Sequence, residues 1–417
     1  ASTHTPEEIA KALGKHQPTP EQAGVISAGP GPLLVTAGAG AGKTETMASR
    51  VVYLVANGMV KPDEVLGLTF TRKAAGQLEQ RIRRNLIDLR GSGLIEPRGE
   101  IGESLTTIAP KAMTYDSFVG ELVREFGLLA PVEPFARLIT AAEEYAIAHD
   151  LVSNYTGKVG VDKQVASVTE DILALAGNMS NRLYDVDTVR DLSTEFLRAA
   201  EELPPATKKT EYSKKLLAKM DAQRGRINYL PLVAELARTY RDKQVTTFGE
   251  QMAVAARLVV EHPGIGKQLR SRYKVVMLDE YQDTSHAQRV FLRTLFGHAE
   301  GAAEGEEPTT VTAVGDPMQS IYGWRGASEE NLSSFATDFP AADGSPAPKK
   351  ELTTSWRNPR LVLDMANTVA DVVLADGNAS RLVGPLQPRS DAEAGDVQLG
   401  YFATSEDECR FVAEHMR

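Results

Sequence analysis

The stretch Gly31-Pro32-Leu33-Leu34-Val35-Thr36, followed without a break by Ala37-Gly38-Ala39-Gly40-Ala41-Gly42-Lys43-Thr44, decides how the rest of the chain is read. An apolar run of strand length passes into a glycine-rich turn. Over residues 45–56, Met47, Val51, Val52, Leu54 and Val55 then recur at helical spacing. Strand, turn and helix in that order gather backbone N–H groups and a helix N-terminus around bound phosphate. Lys43 would neutralise the β and γ phosphates of a nucleotide and the Thr44 hydroxyl would ligate Mg²⁺, with Ala39, Gly40, Ala41, Gly42 and Glu45 lining the same cradle. Ala37 stands where the strict pattern has glycine, and the small residues that follow keep the backbone approach open. A flexible Gly/Ala linker would explain the glycines but not the strand before them, the Lys-Thr pair or the helix after it.

Working outward, residues 65–70 (Val-Leu-Gly-Leu-Thr-Phe) form a second buried-strand candidate and 73–87 a second helix. Residues 274–278 and 310–314 are two more apolar, β-branched runs, each followed by acidic residues. Strands alternating with helices predict an α/β fold with a parallel sheet covered on both faces. Residues 122–246 read differently, with helical patterns at 141–150, 164–178, 188–202, 213–223 and 229–243 and no convincing strand. Such a block predicts an all-helical subdomain inserted into the sheet framework. Gly/Pro-rich or small-residue stretches at 91–93, 297–308 and 341–348 read as surface loops, and the chain has no internal repeat.

The run Val275-Val276-Met277-Leu278-Asp279-Glu280 supplies an acidic strand end to face the phosphate turn. Asp279 can hold Mg²⁺ directly or through water, and Glu280 is placed to orient and deprotonate an attacking water. Adjacent carboxylates at a strand end also occur as solvated turn residues; the glycine-rich turn upstream is what favours chemistry.

Composition narrows the classes further. The 417 residues carry 46 Lys+Arg against 56 Asp+Glu, a net charge of −10, with 42 % hydrophobic and 24 % charged residues, so a chain disordered throughout is excluded. Cys409 is the single cysteine and cannot form an internal disulfide; with no apolar signal region before the first helical pattern, this predicts a reducing cytoplasm. No run approaches the ~18 apolar residues of a membrane span. The acidic balance argues against a surface coated with positive charge for nucleic acid, and leaves room for one basic groove.

From Asp279-Glu280-Tyr281-Gln282-Asp283-Thr284 the chain resembles the UvrD/Rep/PcrA-type superfamily 1 DNA helicases, motif by motif and in order. Gln22, in Pro20-Glu21-Gln22, is similar to the family's adenine-reading glutamine. Thr69-Phe70-Thr71-Arg72-Lys73-Ala74-Ala75 resembles motif Ia and Thr114-Tyr115-Asp116-Ser117-Phe118 motif Ib. Val314-Gly315-Asp316-Pro317-Met318-Gln319-Ser320-Ile321-Tyr322-Gly323-Trp324-Arg325-Gly326-Ala327 resembles motif III, and Leu352-Thr353-Thr354-Ser355-Trp356-Arg357 motif IV. The resemblance implies RecA-like domain 1A at 1–121 and 247–351, a helical insertion 1B at 122–246, and the beginning of a second motor domain, 2A, at 352–417. It implies ATP and Mg²⁺ as cofactors, with Gln319 sensing the γ phosphate, Arg357 acting as an arginine finger and Trp356, where the family usually has Tyr, stacking on adenine. It also implies a single-stranded DNA track with duplex ahead and movement 3′ to 5′, in DNA repair or end resection on the nucleoid.

Phe70, Tyr115, Tyr322 and Trp324 are the aromatic candidates for DNA, with Arg72, Lys73 and Arg325 beside them. Phe70 can equally be core, and Arg72 and Lys73 a solvated helix start. Motif Ia commonly has Asn at Arg72 and motif Ib His at Asp116, and Asp116 receives no role. The spelling of residues 66–78, with Ala41 and Trp356, looks closer to the actinobacterial AdnAB-type end-resection motors than to the repair helicases. That likeness implies a heterodimer with a second motor-nuclease subunit and a nuclease joined downstream; a scaffold subunit with an idle motor is the alternative. Motifs V and VI are not in these residues, so the chain is expected to be the front part of a longer protein that alone hydrolyses ATP poorly. A small-molecule P-loop kinase would leave residues 319–325 and the helical block without purpose. Lys208, Lys209, Lys214, Lys215 and Lys219 form a basic cluster that is either a DNA contact or a solvated face.

Overall fold

The computed structural model describes residues 4–107, 110–129, 133–157, 159–160, 163–203, 212–297, 309–321, 323, 330–375 and 384–416. Two short helices, α1 (Pro6–Ala12) and α2 (Pro20–Ile26), precede β1 (Leu33–Ala37) and α3 (Lys43–Ala56). There follow β2 (Val65–Thr69), α4 (Arg72–Gly91), α5 (Glu100–Thr107), β3 (Lys111–Thr114) and α6 (Tyr115–Phe126). The helical block holds β4 (Arg137–Leu138), α7 (Ala141–Asn154), α8 (Val165–Arg182), α9 (Val186–Glu202), α10 (Lys214–Asp242) and β5 (Val245–Thr246). The chain returns through α11 (Phe248–Glu261), α12 (Pro263–Arg272), β6 (Val275–Leu278), α13 (His286–Phe296), β7 (Thr310–Gly315), α14 (Glu330–Asp338) and β8 (Lys349–Leu352). It ends with β9 (Thr354–Ser355), α15 (Arg360–Ala375), β10 (Gln387–Pro388) and α16 (Ser405–His415).

Six strands form one parallel sheet in the order β3-β2-β6-β7-β1-β8. Because side chains alternate across a strand, each apolar run feeds both faces. Leu33, Val35 and Ala37 of β1, with Val275 and Met277 of β6, join Val51, Val52 and Ile82 on one side. Leu34, Val276 and Leu278 join Phe118, Phe291 and Phe335 on the other. A third core, built on Ile172, Leu230, Leu232 and Leu236, lies in the helical block. No described helix is long and apolar enough to cross a membrane.

The structure departs from the sequence expectation in four places. β3 and β8 are sheet strands without a continuous apolar run, because they are the two sheet edges and carry Lys111, Lys349 and Lys350 on partly solvated backbone. The helical patterns at 213–223 and 229–243 are one 29-residue helix, α10, with Pro231 inside it. Leu230, Leu232, Val233 and Leu236 are buried there, and that packing outweighs the local breaker. Helix α6 runs through the expected break at 121/122 and buries Leu122 and Val123 in the sheet's own core, so the chain leaves that core after α6 rather than within it. Finally, the block expected to be all helical carries the short parallel pair β4 and β5; the loop expected at 297–308 falls outside the described residues except for Gly297.

Arg50 of α3 is fully buried with no carboxylate partner. Its Nη1 donates to the carbonyls of Val25 (3.0 Å), Ile26 (3.3 Å) and Ala28 (2.7 Å), Nη2 to that of Gly29 (3.2 Å), and Nε to Thr312 Oγ1 (3.1 Å). One guanidinium thus satisfies the C-terminal carbonyls of α2, where a positive charge also suits the helix dipole. Burial lowers its pKa to about 10. Arg50→Met strands these acceptors and should cost about 3 kcal/mol of stability, read in urea as a lower midpoint at unchanged slope.

Candidate nucleotide site and nucleic-acid face

In a parallel sheet every strand points the same way, so the turns after β1, β6 and β7, which are neighbours, open onto one crevice. Gly40 (φ 76°) and Gly42 (φ 79°) take the left-handed conformation that closes the turn after β1 and starts α3 at Lys43. Gly40 is also required sterically: a Cβ there would meet Arg357 Cβ at 2.7 Å and Ser355 Oγ at 2.8 Å. The segment after β8 docks on this turn, with the Trp356 N–H donating to Gly40 O (2.9 Å) and Ser355 Oγ to Ala39 O (3.1 Å).

Across the crevice, Lys43 Nζ lies 2.9 and 3.0 Å from the two carboxylate oxygens of Glu280. Glu280 holds a left-handed backbone (φ 49°), uncommon for a residue with a side chain and a mark of a constrained site. Its Oε2 also accepts Gln282 Nε2 (2.8 Å), Gln282 Oε1 accepts the Asp316 N–H (3.1 Å), and Asp316 Oδ2 accepts Gln319 Nε2 (2.6 Å). A single hydrogen-bonded line therefore joins the phosphate lysine, the acidic strand end and Gln319. The structure brings these expected residues together; Gln282 and Asp316, which link them, stand within the recognised motifs but were given no individual role by the sequence.

The acids resist ionisation. Burial, then the charge of Glu280, raises Asp279 to about 6, and the same two causes raise Asp283 to about 6. Burial also raises Asp316. Asp283 Oδ1 is buried without a partner. Among the described residues no three His, Cys, Asp or Glu side chains converge as a metal cage. The Thr44 hydroxyl and the Asp279 carboxylate are the donor set that suits Mg²⁺, which prefers one or two protein oxygens plus phosphates and water. Thr44 in the first turn of α3 and Asp279 would hold it, and a dication would relieve the crowded carboxyls.

Beside the turn lies a cavity of about 660 Å³ lined by Ile9, His16, Gln17, Gln22, Glu45 and Trp356, among others. Gln22 uses its side-chain oxygen to cap α2 at Thr19 N (3.1 Å), and its amide nitrogen lies beside Gly42. Trp356 Nε1 is buried without a partner, an open donor at the cavity wall. Glu45 lines the cavity while pairing with Lys15 (2.5 Å) and Arg81 (2.8 Å).

The DNA candidates divide. Phe70 is 36 % exposed and packs on the Tyr115 ring at 4.7 Å. Arg72 and Lys73 are exposed in the first turn of α4, behind the Thr71 cap. Tyr115, by contrast, is 2 % exposed and its hydroxyl donates to the Asp279 carbonyl (3.0 Å), so its ring is a strut between the acidic strand end and Phe70 rather than an exposed platform. An aromatic at a strand end has the same sequence signature in either role. Asp116 sits in the first turn of α6, where a negative charge meets the helix N-terminus. Tyr322, Trp324 and Arg325 lie outside the described residues, as do Lys208 and Lys209; Lys214, Lys215 and Lys219 are exposed on α10.

Asp279 keeps its proton to higher pH folded than unfolded, so its stability penalty is absent below about pH 4, grows toward pH 6 and is full above it. Asp279→Asn should raise the unfolding free energy at pH 7, without nucleotide or Mg²⁺, by about 2 kcal/mol and flatten the fall in stability between pH 4 and 6. Urea unfolding at four pH values checks both.

Comparison with known proteins agrees with this geometry. The family model for the UvrD/REP helicase N-terminal domain matches residues 18–340. The chain is 27 % identical over 415 residues to the ATP-dependent DNA helicase UvrD1 of Mycobacterium leprae, covering 98 % of this chain and 45 % of that protein. It is 27 % identical over 390 residues to UvrD1 of Mycobacterium tuberculosis strain H37Rv (92 % and 42 %), and 25 % identical over 358 residues to the ATP-dependent DNA helicase PcrA of Staphylococcus aureus strain Mu50 (86 % and 40 %). It thus spans less than half the length of these relatives. With the matched region covering most of the chain, from α2 through β7 and α14, the chain belongs to the UvrD/REP helicase family.

Proposed function

We propose that this chain is the ATP-binding part of a DNA-stimulated motor that moves on single-stranded DNA and unwinds duplex ahead of it. The line from Lys43 through Glu280, Gln282 and Asp316 to Gln319 is the observation that carries the reading. It connects the group that would hold phosphate to Gln319, which stands just before the DNA candidates Tyr322, Trp324 and Arg325 in the chain. In the proposed cycle ATP enters the cavity with its base between Gln22 and Trp356 and its phosphates on residues 39–44. Lys43 then exchanges Glu280 for phosphate oxygen, leaving the Glu280 carboxylate free to take a proton from the attacking water. Thr44 and Asp279 would hold Mg²⁺, which when bound would supply charge neutralisation to the phosphates. Arg357, set above Gly40, is assigned to the transition-state charge, and Gln319 to sensing loss of the γ phosphate.

The block between α6 and α11 is assigned to a helical insertion, supported by its separate apolar core, and 352–417 to the start of a second motor domain. Phe70, Arg72 and Lys73, with Tyr322, Trp324 and Arg325, are assigned to the DNA track. Stacking on rings and a few phosphate contacts suits a chain of net charge −10. A cytoplasmic setting and a second motor-nuclease subunit, implied by the spelling of residues 66–78, belong to the same proposal.

The test is Glu280→Gln in the 417-residue chain with single-stranded DNA, read as single-turnover hydrolysis because this chain alone is expected to turn over slowly. ATP binding should persist within about threefold while hydrolysis falls by about 10²-fold or more. Lys43→Ala should weaken binding itself. Turnover that ignores Glu280→Gln overturns the assignment.

A further inference from the structure

The chain leaves the six-stranded sheet at Thr353, between β8 and β9, and within four residues it delivers Trp356 to the base cavity and Arg357 to the phosphate turn. The crossing is held from both sides. Glu21 accepts the Thr353 N–H (2.8 Å), the Thr353 hydroxyl (2.5 Å) and the Thr354 N–H (3.4 Å), and the Gln387 N–H donates to Thr353 O (2.9 Å). Glu21 stands in the first turn of α2, next to Gln22, and the other end of α2 is fixed by Arg50.

We propose that Glu21 is a positioning residue, a carboxylate latch that aims Trp356 and Arg357 over the cleft without touching base or phosphate. The inference rests on the ATP-site reading. An ionised acceptor taking donors from two consecutive residues fixes both the position and the tilt of the crossing peptide. From Thr353 to Arg357 the chain reaches at most ~13 Å, so a small rotation at the crossing moves the guanidinium by several ångströms. Gln22 and Glu21 are neighbours on one short helix. The element that meets the base is therefore also the element that sets the finger, and a misplaced base would be felt at Arg357.

Two measurements on the 417-residue chain test this. Without nucleotide, the Thr353 and Thr354 amides should exchange at least about tenfold faster in Glu21→Ala than in the parent, while β1 and β7 amides keep their rates. In a Trp324→Phe background Trp356 is the only indole. ATP should change its emission in the parent, and at least about threefold less in Glu21→Ala. Glu21→Gln, whose amide oxygen still accepts the Thr353 N–H, should keep most of the response. Thr353→Val, which removes one donor, gives the same comparison if Glu21→Ala folds poorly. Unchanged exchange, or faster exchange with a full Trp356 response, overturns the latch. A parent chain whose Trp356 emission ignores ATP overturns the ATP-site reading, and the latch with it.

Discussion

Lys43 and Glu280 are 237 residues apart in the chain and within 3.0 Å in the fold. Everything at the cleft depends on that meeting. It requires β1 and β6 to run parallel on either side of β7, so that the ends of all three open on the same edge. It requires Gly40 and Gly42 to turn the chain tightly enough that α3 starts at Lys43. The pair is half-shielded, with side-chain exposures of 14 % and 36 %, so its attraction is stronger than that of a surface bridge and weaker than that of a dry one. Such a pair is strong enough to organise the cleft and weak enough to be exchanged for phosphate oxygens in the proposed cycle.

Where the sequence was legible, the structure is local or fully buried. Residues 33–56 pack strand, turn and helix into a single stretch, and β6 and β7 are interior strands of a parallel sheet, hence unbroken runs of buried, mostly apolar or β-branched residues. The edge strands escaped that reading because Lys111, Lys349 and Lys350 break the pattern where backbone meets water. Tyr115 escaped it because nothing in the chain says that its hydroxyl finds a carbonyl 164 residues away. Arg50 and Glu21 act through long-range contacts with main-chain groups, which carry no residue identity to match against. Ring and charge identities at the site could be read from the chain; which of them face solvent and which hold another residue could not.

The cleft also shows a conflict between stability and chemistry. Asp279, Asp283 and Asp316 are crowded around Glu280 with one nearby ammonium, and burial makes each of the three reluctant to ionise. A fold selected for stability alone would replace such acids with neutral side chains. Their presence is understandable if the site is completed by cations and phosphate, whose binding relieves the crowding and so stabilises the fold.

The strand order carries a cost in time as well as in free energy. Gly31, at the mouth of β1, bonds to Thr310, 279 residues later, and β1 is flanked only by β7 and β8. At the ~5–20 residues per second of synthesis, β1 and the apolar face of α3 wait on the order of tens of seconds for their neighbours. The helical block between them draws its core from residues 139–245 alone and can close in that interval. A nascent chain of this protein is therefore a folded helical unit with an unpaired apolar strand trailing in front of it. That species, rather than the finished molecule, is the one that most needs a chaperone.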